Sequence, residues 1–198
     1  MSPDLGTDLF AVAVDVTRRL ERVGVRYVIG GSIASSLHGE PRSTLDVDVV
    51  ADLLEAQVAA VVAALGDAYY IDPTVALDAV CAGASFNVVH VASTIKVDVF
   101  VAGADPFELR RLETALEISA PPPLTATLRI DTAEHTLLRK LEWYRRGGEI
   151  SERQWRDVRA IVALQGQRLN VSELRRWSLH LGVDDLLTRV LAEAGLSA

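Results

Sequence analysis

The run Leu45-Asp46-Val47-Asp48-Val49-Val50 permits few structures. Valines alternating with aspartates favour a strand, and its period of two sends Asp46 and Asp48 to one face while Val47 and Val49 go to the other. Two carboxylates side by side on a valine-rich strand call for a cation, because burial penalises each charge and each penalises its neighbour. Oxygen donors with no Cys or His beside them suit Mg²⁺ or Mn²⁺. A third acid, Asp98, interrupts the apolar run Val97 to Val101 of another predicted strand. Three such acids are what two-metal phosphoryl chemistry uses, with one metal on a triphosphate and one activating the attacking hydroxyl.

Upstream, a short β-rich run, Val25 to Ile29, leads straight into Gly30-Gly31-Ser32 and a small-residue helical turn through Leu37. Glycines where a strand hands over to a helix let backbone N–H groups approach phosphate oxygens, and the Ser32 hydroxyl adds a donor. The stretch is neither a P-loop, lacking the lysine-serine ending, nor a dinucleotide fingerprint, lacking the third glycine. Its weight comes from the carboxylates that follow, with thirteen residues between Ser32 and Asp46.

Taken together, Gly30-Gly31-Ser32 and Asp46-x-Asp48 resemble the nucleotidyltransferase superfamily of DNA polymerase β. The fuller run GGSIASSLHGEPRSTLDVD, with Arg42 and Thr44 ahead of the acids, resembles its AbiEii branch, which includes the MenT toxins. Downstream, LLRKLEWYRRGG and RQWRDVRAIVAL place Lys140 and Asp157 where that branch has a lysine and an aspartate. The resemblance implies an α+β fold, a polymerase β-like core with a mixed sheet followed by a C-terminal helical bundle. It implies transfer of a nucleoside monophosphate from an NTP with release of pyrophosphate. Gly30, Gly31, Ser32 and Arg42 would bind the nucleotide, Asp46, Asp48 and Asp98 would hold Mg²⁺ or Mn²⁺, and Lys140 would meet phosphates while Asp157 orients it. Toxin members of the branch modify the tRNA 3′ end, blocking aminoacylation, and are paired with a cognate antitoxin.

Along the rest of the chain, Leu9, Ala13, Val16, Leu20 and Val23 mark one face of a first helix ending at Gly24. Further helices are expected from about Leu53 to Leu65, after Asp72-Pro73 and after Asp105-Pro106. A hairpin is expected of Ser85–Val91 and Ile95–Val101, with edge strands at Ala115–Ser119 and Leu124–Ile130. From residue 132 onward the pattern is helical, so the expected division is a nucleotidyltransferase core over 1–131 and a helical region over 132–198. Net charge is −7, yet residues 139–176 hold ten Arg or Lys against five acids. That basic back, with Trp143 and Trp155 inside it and Trp177 just after it, suits docking of an RNA end through phosphates and stacking.

Several residues keep two readings at this stage. Lys140 is a phosphate ligand or a solvated lysine; Asp157 orients it or pairs with a neighbouring helix; Arg42 meets a phosphate or pairs with Glu40. His38 reads as a surface residue and Cys81 as a buried, inert thiol. Acids near the N-terminus and the lack of an eighteen-residue apolar run suggest a cytoplasmic protein with no membrane partner. The expected function is a tRNA-modifying toxin held by an antitoxin. The alternatives are a small-molecule nucleotidyltransferase of the antibiotic-modifying type and a nucleotide-binding regulator that has lost catalysis.

Overall fold

The computed structural model describes residues 5–196, and side chains from residue 9. The chain forms two compact units, the first comprising residues up to Gly30 together with Ser43–Ile130, and the second comprising Gly31–Arg42 together with Asp131 onward. The expected α+β class holds: strands and helices mix in the first unit, and the second is helical.

A seven-stranded mixed sheet forms the centre of the first unit, in the order β3-β4-β5-β2-β1-β7-β6. The strands are β1 (Arg26–Ile29), β2 (Asp46–Asp52), β3 (Tyr69–Tyr70), β4 (Ser85–His90), β5 (Lys96–Val101), β6 (Leu116–Ser119) and β7 (Thr127–Ile130). β4 and β5 make the expected antiparallel hairpin, whereas β2 and β5 run parallel with Asp46 beside Lys96 and Asp48 beside Asp98. β6 is an edge strand as expected, but β7 is interior, parallel to β1 on one side and antiparallel to β6 on the other. Leu128 and Ile130 are fully buried, the apolar alternation of a strand with neighbours on both sides.

The helices of this unit are α1 (Leu5–Arg22), α3 (Val58–Leu65), α4 (Pro73–Ala82) and α5 (Pro106–Thr114). Both aspartate-proline openings work locally: Asp72 accepts from the backbone N–H groups of Thr74 and Val75, and Asp105 from that of Phe107. The predicted helix from Leu53 starts late, as a 3₁₀ turn at Glu55–Gln57. α5 brings Leu112 against Val28, Val50 and Ala102. Val50 shares its face of β2 with Asp46 and Asp48, so the strand enters the core two residues after its second carboxylate.

The second unit contains α2 (Gly31–His38), α6 (Ala133–Arg146), α7 (Glu152–Gln165), α8 (Val171–Leu181) and α9 (Asp184–Glu193). Thr132, Ser151 and Asn170 cap α6, α7 and α8 with their side chains. Leu137, Leu138 and Leu141 of α6 are fully buried, as are Val158 and Ile161 of α7 and Leu174 of α8, and α6 packs against α7, α8 and α9. Residues 31–42, read from the sequence as part of the front region, pack with these helices. A Cβ at Gly39 would lie 3.0 Å from the Ile161 nitrogen, so only glycine lets the end of α2 approach α7 this closely.

Two readings are overturned here. His38 is buried, and its Nε2 lies 2.6 Å from the Asp131 carbonyl oxygen, which can only accept, so Nε2–H donates. The His38 carbonyl in turn accepts from Gln165, so the residue fastens the end of α2 to the helical unit. Cys81 is exposed, because α4 turns Ala76 and Ala79 inward and leaves the opposite side to solvent.

Candidate functional site

In the first unit the parallel register of β2 and β5 assembles a two-by-two block on one sheet face: Asp46 and Asp48 on one strand, Lys96 and Asp98 on the other. Thr44 donates to Asp46 Oδ1 at 2.6 Å, bracing that carboxylate from the residue two places before it. Lys96 Nζ lies 2.8 Å from Asp98 Oδ2, and its pKa is raised, first by this hydrogen bond and also by the charges of Asp98, Asp46 and Asp48. Gly30 N–H donates to the Asp48 carbonyl, holding the end of β1 to β2.

Lys96 was missed in the sequence. Its signal was present, since the alternation that places Asp98 on a face also places Lys96 there two residues earlier. What no local pattern shows is that β5 lies beside β2 in parallel, with Lys96 next to Asp46.

The carboxylates of the block match a hard divalent cation in donor type, since they offer oxygen alone. Among the described residues no three Asp, Glu, His or Cys side chains are gathered as a metal cluster. Asp98 is turned to Lys96, so the fit is that of a carboxylate pair, Asp46 and Asp48. A pair suffices for Mg²⁺, which takes its remaining ligands from water and phosphate oxygens.

In the second unit, four of the other predicted residues form a connected chain. Arg42 donates to the Ser32 hydroxyl and its Nε lies 3.4 Å from Asp157 Oδ2. Lys140 donates to the same Asp157 oxygen at 2.8 Å, across α6 and α7. Lys140 and Asp157 are each 7% exposed, so Lys140 is not a solvated lysine. Asp157 therefore serves two cations at once. Gly31 opens α2 with φ +55, a left-handed conformation that explains glycine at this position on backbone grounds.

The tryptophans divide by burial. Trp177 is buried with its indole N–H donated to Glu173, and Trp155 meets the Tyr144 ring in a tilted pair and has the Arg189 guanidinium over its ring. Trp143 is 46% exposed, with Arg146 lying 5.5 Å from its ring centre.

The mixed sheet with β2 at its centre and the helical second unit form a fold found in solved structures. Two solved structures share it. An antigenic nucleotidyltransferase-like protein from Paracoccidioides brasiliensis matches with a TM-score of 0.52 and 19% identity, over 100% of this chain and 95% of its own. The antibiotic-resistance factor ANT(2'')-Ia, known in solution, matches with a TM-score of 0.54 and 11% identity, over 91% of this chain and 96% of its own. No family model matches the chain, and no curated protein matches it in sequence. Among the described residues no helix is long and apolar enough to cross a membrane.

Proposed function

We propose that the protein is a metal-dependent nucleotidyltransferase that adds a nucleoside monophosphate from an NTP to the 3′ end of tRNA, releasing pyrophosphate and blocking aminoacylation. In this reading it is a cytoplasmic toxin held in check by a cognate antitoxin. The observation that carries the enzymatic part is the face shared by Asp46, Asp48 and Asp98, two of them in register on adjacent strands. The RNA acceptor is supported by the charge of residues 139–176 and by the exposed Trp143 with its arginine.

Asp46 and Asp48 would hold Mg²⁺ or Mn²⁺, with Asp98 as a third carboxylate. When bound, the ion neutralises triphosphate charge and lowers the pKa of the attacking hydroxyl. Thr44 keeps the Asp46 carboxylate aimed. Ser32 and Arg42 are assigned to triphosphate oxygens, with Gly30 and Gly31 shaping the turn before them. Lys140 is assigned to charge developing on the leaving pyrophosphate, and Asp157 holds both cations in place.

A second reading, modification of a cationic small molecule, draws on a different observation. Residues 43–95 contain seven acids and neither Lys nor Arg, a surface charge suited to an aminated substrate. One experiment separates them: incubate the protein with total RNA, or with an aminoglycoside panel, and each of four labelled NTPs. Labelled tRNA from the wild type, and none from Asp46→Ala, supports the first reading. Label transferred only to a small molecule supports the second, and equal labelling of tRNA by Asp46→Ala refutes the metal assignment.

A further inference from the structure

The block on β2 and β5 holds three carboxylates and one ammonium. Alone, the three acids would repel one another along adjacent strand positions, and Asp98 is only 16% exposed in its side chain. Lys96 offsets that repulsion from within the same face, 2.8 Å from Asp98 and in register with Asp46. Its own side chain is 46% exposed, so the ammonium approaches from the solvent side and has room to swing back into water. Asp98, buried further in, has no such freedom.

We infer that Lys96 is the resident counter-ion of this block and that a divalent cation entering it exchanges with the Lys96 ammonium. The inference rests on the metal reading above. It adds that the acids are balanced before any metal arrives, and that the affinity for the metal is set partly by the lysine it displaces. Withdrawal of the ammonium also releases Asp98 from its ion pair, which makes the third carboxylate available only once a stronger cation is present. A lysine and a divalent ion compete because both are drawn by the same negative potential, and each lowers the attraction felt by the other.

The test uses the full chain and Mn²⁺ alone, titrated by the paramagnetic signal of the free ion. Wild type, Lys96→Met, Lys96→Arg and Asp46→Asn are compared. Lys96→Met should bind Mn²⁺ about tenfold tighter, because a competing positive charge is gone, while Lys96→Arg should stay within about twofold of wild type. Without metal, Lys96→Met should melt at a lower temperature than wild type, and Mn²⁺ should raise its melting temperature by more. A lysine with only a packing role would lower stability equally with and without Mn²⁺ and leave the affinity unchanged, and that result overturns the proposal. Should Lys96→Met fail to fold with or without Mn²⁺, Lys96→Gln takes its place in the titration under the same criteria. Asp46→Asn separates the two layers. If it keeps wild-type Mn²⁺ affinity, the metal is not in this block and both readings fall. If it loses Mn²⁺ while Lys96→Met binds as wild type does, only the counter-ion assignment falls.

Discussion

Replacing Asp157 with Ala should cost far more stability than replacing its partner Lys140 with Met. In the folded protein one Asp157 oxygen accepts from Lys140 at 2.8 Å and sits 3.4 Å from Arg42 Nε. Lys140 and Asp157 are each 7% exposed, and the Arg42 side chain is 20% exposed. Removing the carboxylate takes the shared acid from two cations at once, one of them a buried ammonium. Breaking a buried pair from one side costs about 3–5 kcal/mol, because the remaining charge loses its carboxylate in a place poor in water. Lys140→Met removes one cation and keeps the aliphatic stem, and the carboxylate retains Arg42, so the loss should be about 1–2 kcal/mol. For a chain of this length each kcal/mol moves the melting temperature by roughly 2–4 °C, which predicts a drop of about 10 °C for Asp157→Ala and under half that for Lys140→Met. Urea unfolding followed by far-ultraviolet circular dichroism measures both. If Lys140→Met is as destabilising as Asp157→Ala, Asp157 is not the shared anchor of the two cations.

Three other perturbations probe separate parts of the molecule. Gly39→Val forces a side chain to within about 3 Å of the Ile161 backbone, and should lose about 1–3 kcal/mol in the same denaturation assay. Tyr69 donates to Asp15 at 2.9 Å, and its pKa is raised well above the ordinary tyrosine value, first by burial and then by that carboxylate. The folded state therefore holds this proton more tightly than the unfolded chain does. Its contribution to stability is complete below pH 10 and declines as pH rises further, so the alkaline loss of stability should be shallower in Tyr69→Phe. Trp143→Ala should leave the melting temperature within about 2 °C of wild type, since the ring is 46% exposed, and should weaken tRNA labelling through KM. An unchanged KM would remove Trp143 from the acceptor surface.

Much of the helical frame is written locally. Asp72-Pro73 and Asp105-Pro106 open helices by capping chemistry that reaches only three residues ahead, and Ser151 and Asn170 do the same. The alternation around Asp46, Asp48 and Asp98 was legible for the same reason, since strand period depends on nothing beyond the strand. Burial was harder. Cys81 lies in an apolar helix and was read as inward, yet α4 has two sides and only its packing selects one. His38 was read as a loop residue at the surface, and it is buried because the distant Asp131 carbonyl and Gln165 lie around it.

The sequence by itself determined which acids share a strand face, where most helices begin, and that the basic residues gather after position 138. Only the tertiary structure decided that β2 and β5 run side by side, which turns two separate strand patterns into one block and brings in Lys96. It also decided that Arg42 turns to Ser32 and Asp157, and that Lys140 is buried against Asp157. The physical division is one of range. Caps, turns and alternation are set by neighbours a few residues away, whereas the partners of a buried charge are chosen by packing between segments that lie far apart in the chain.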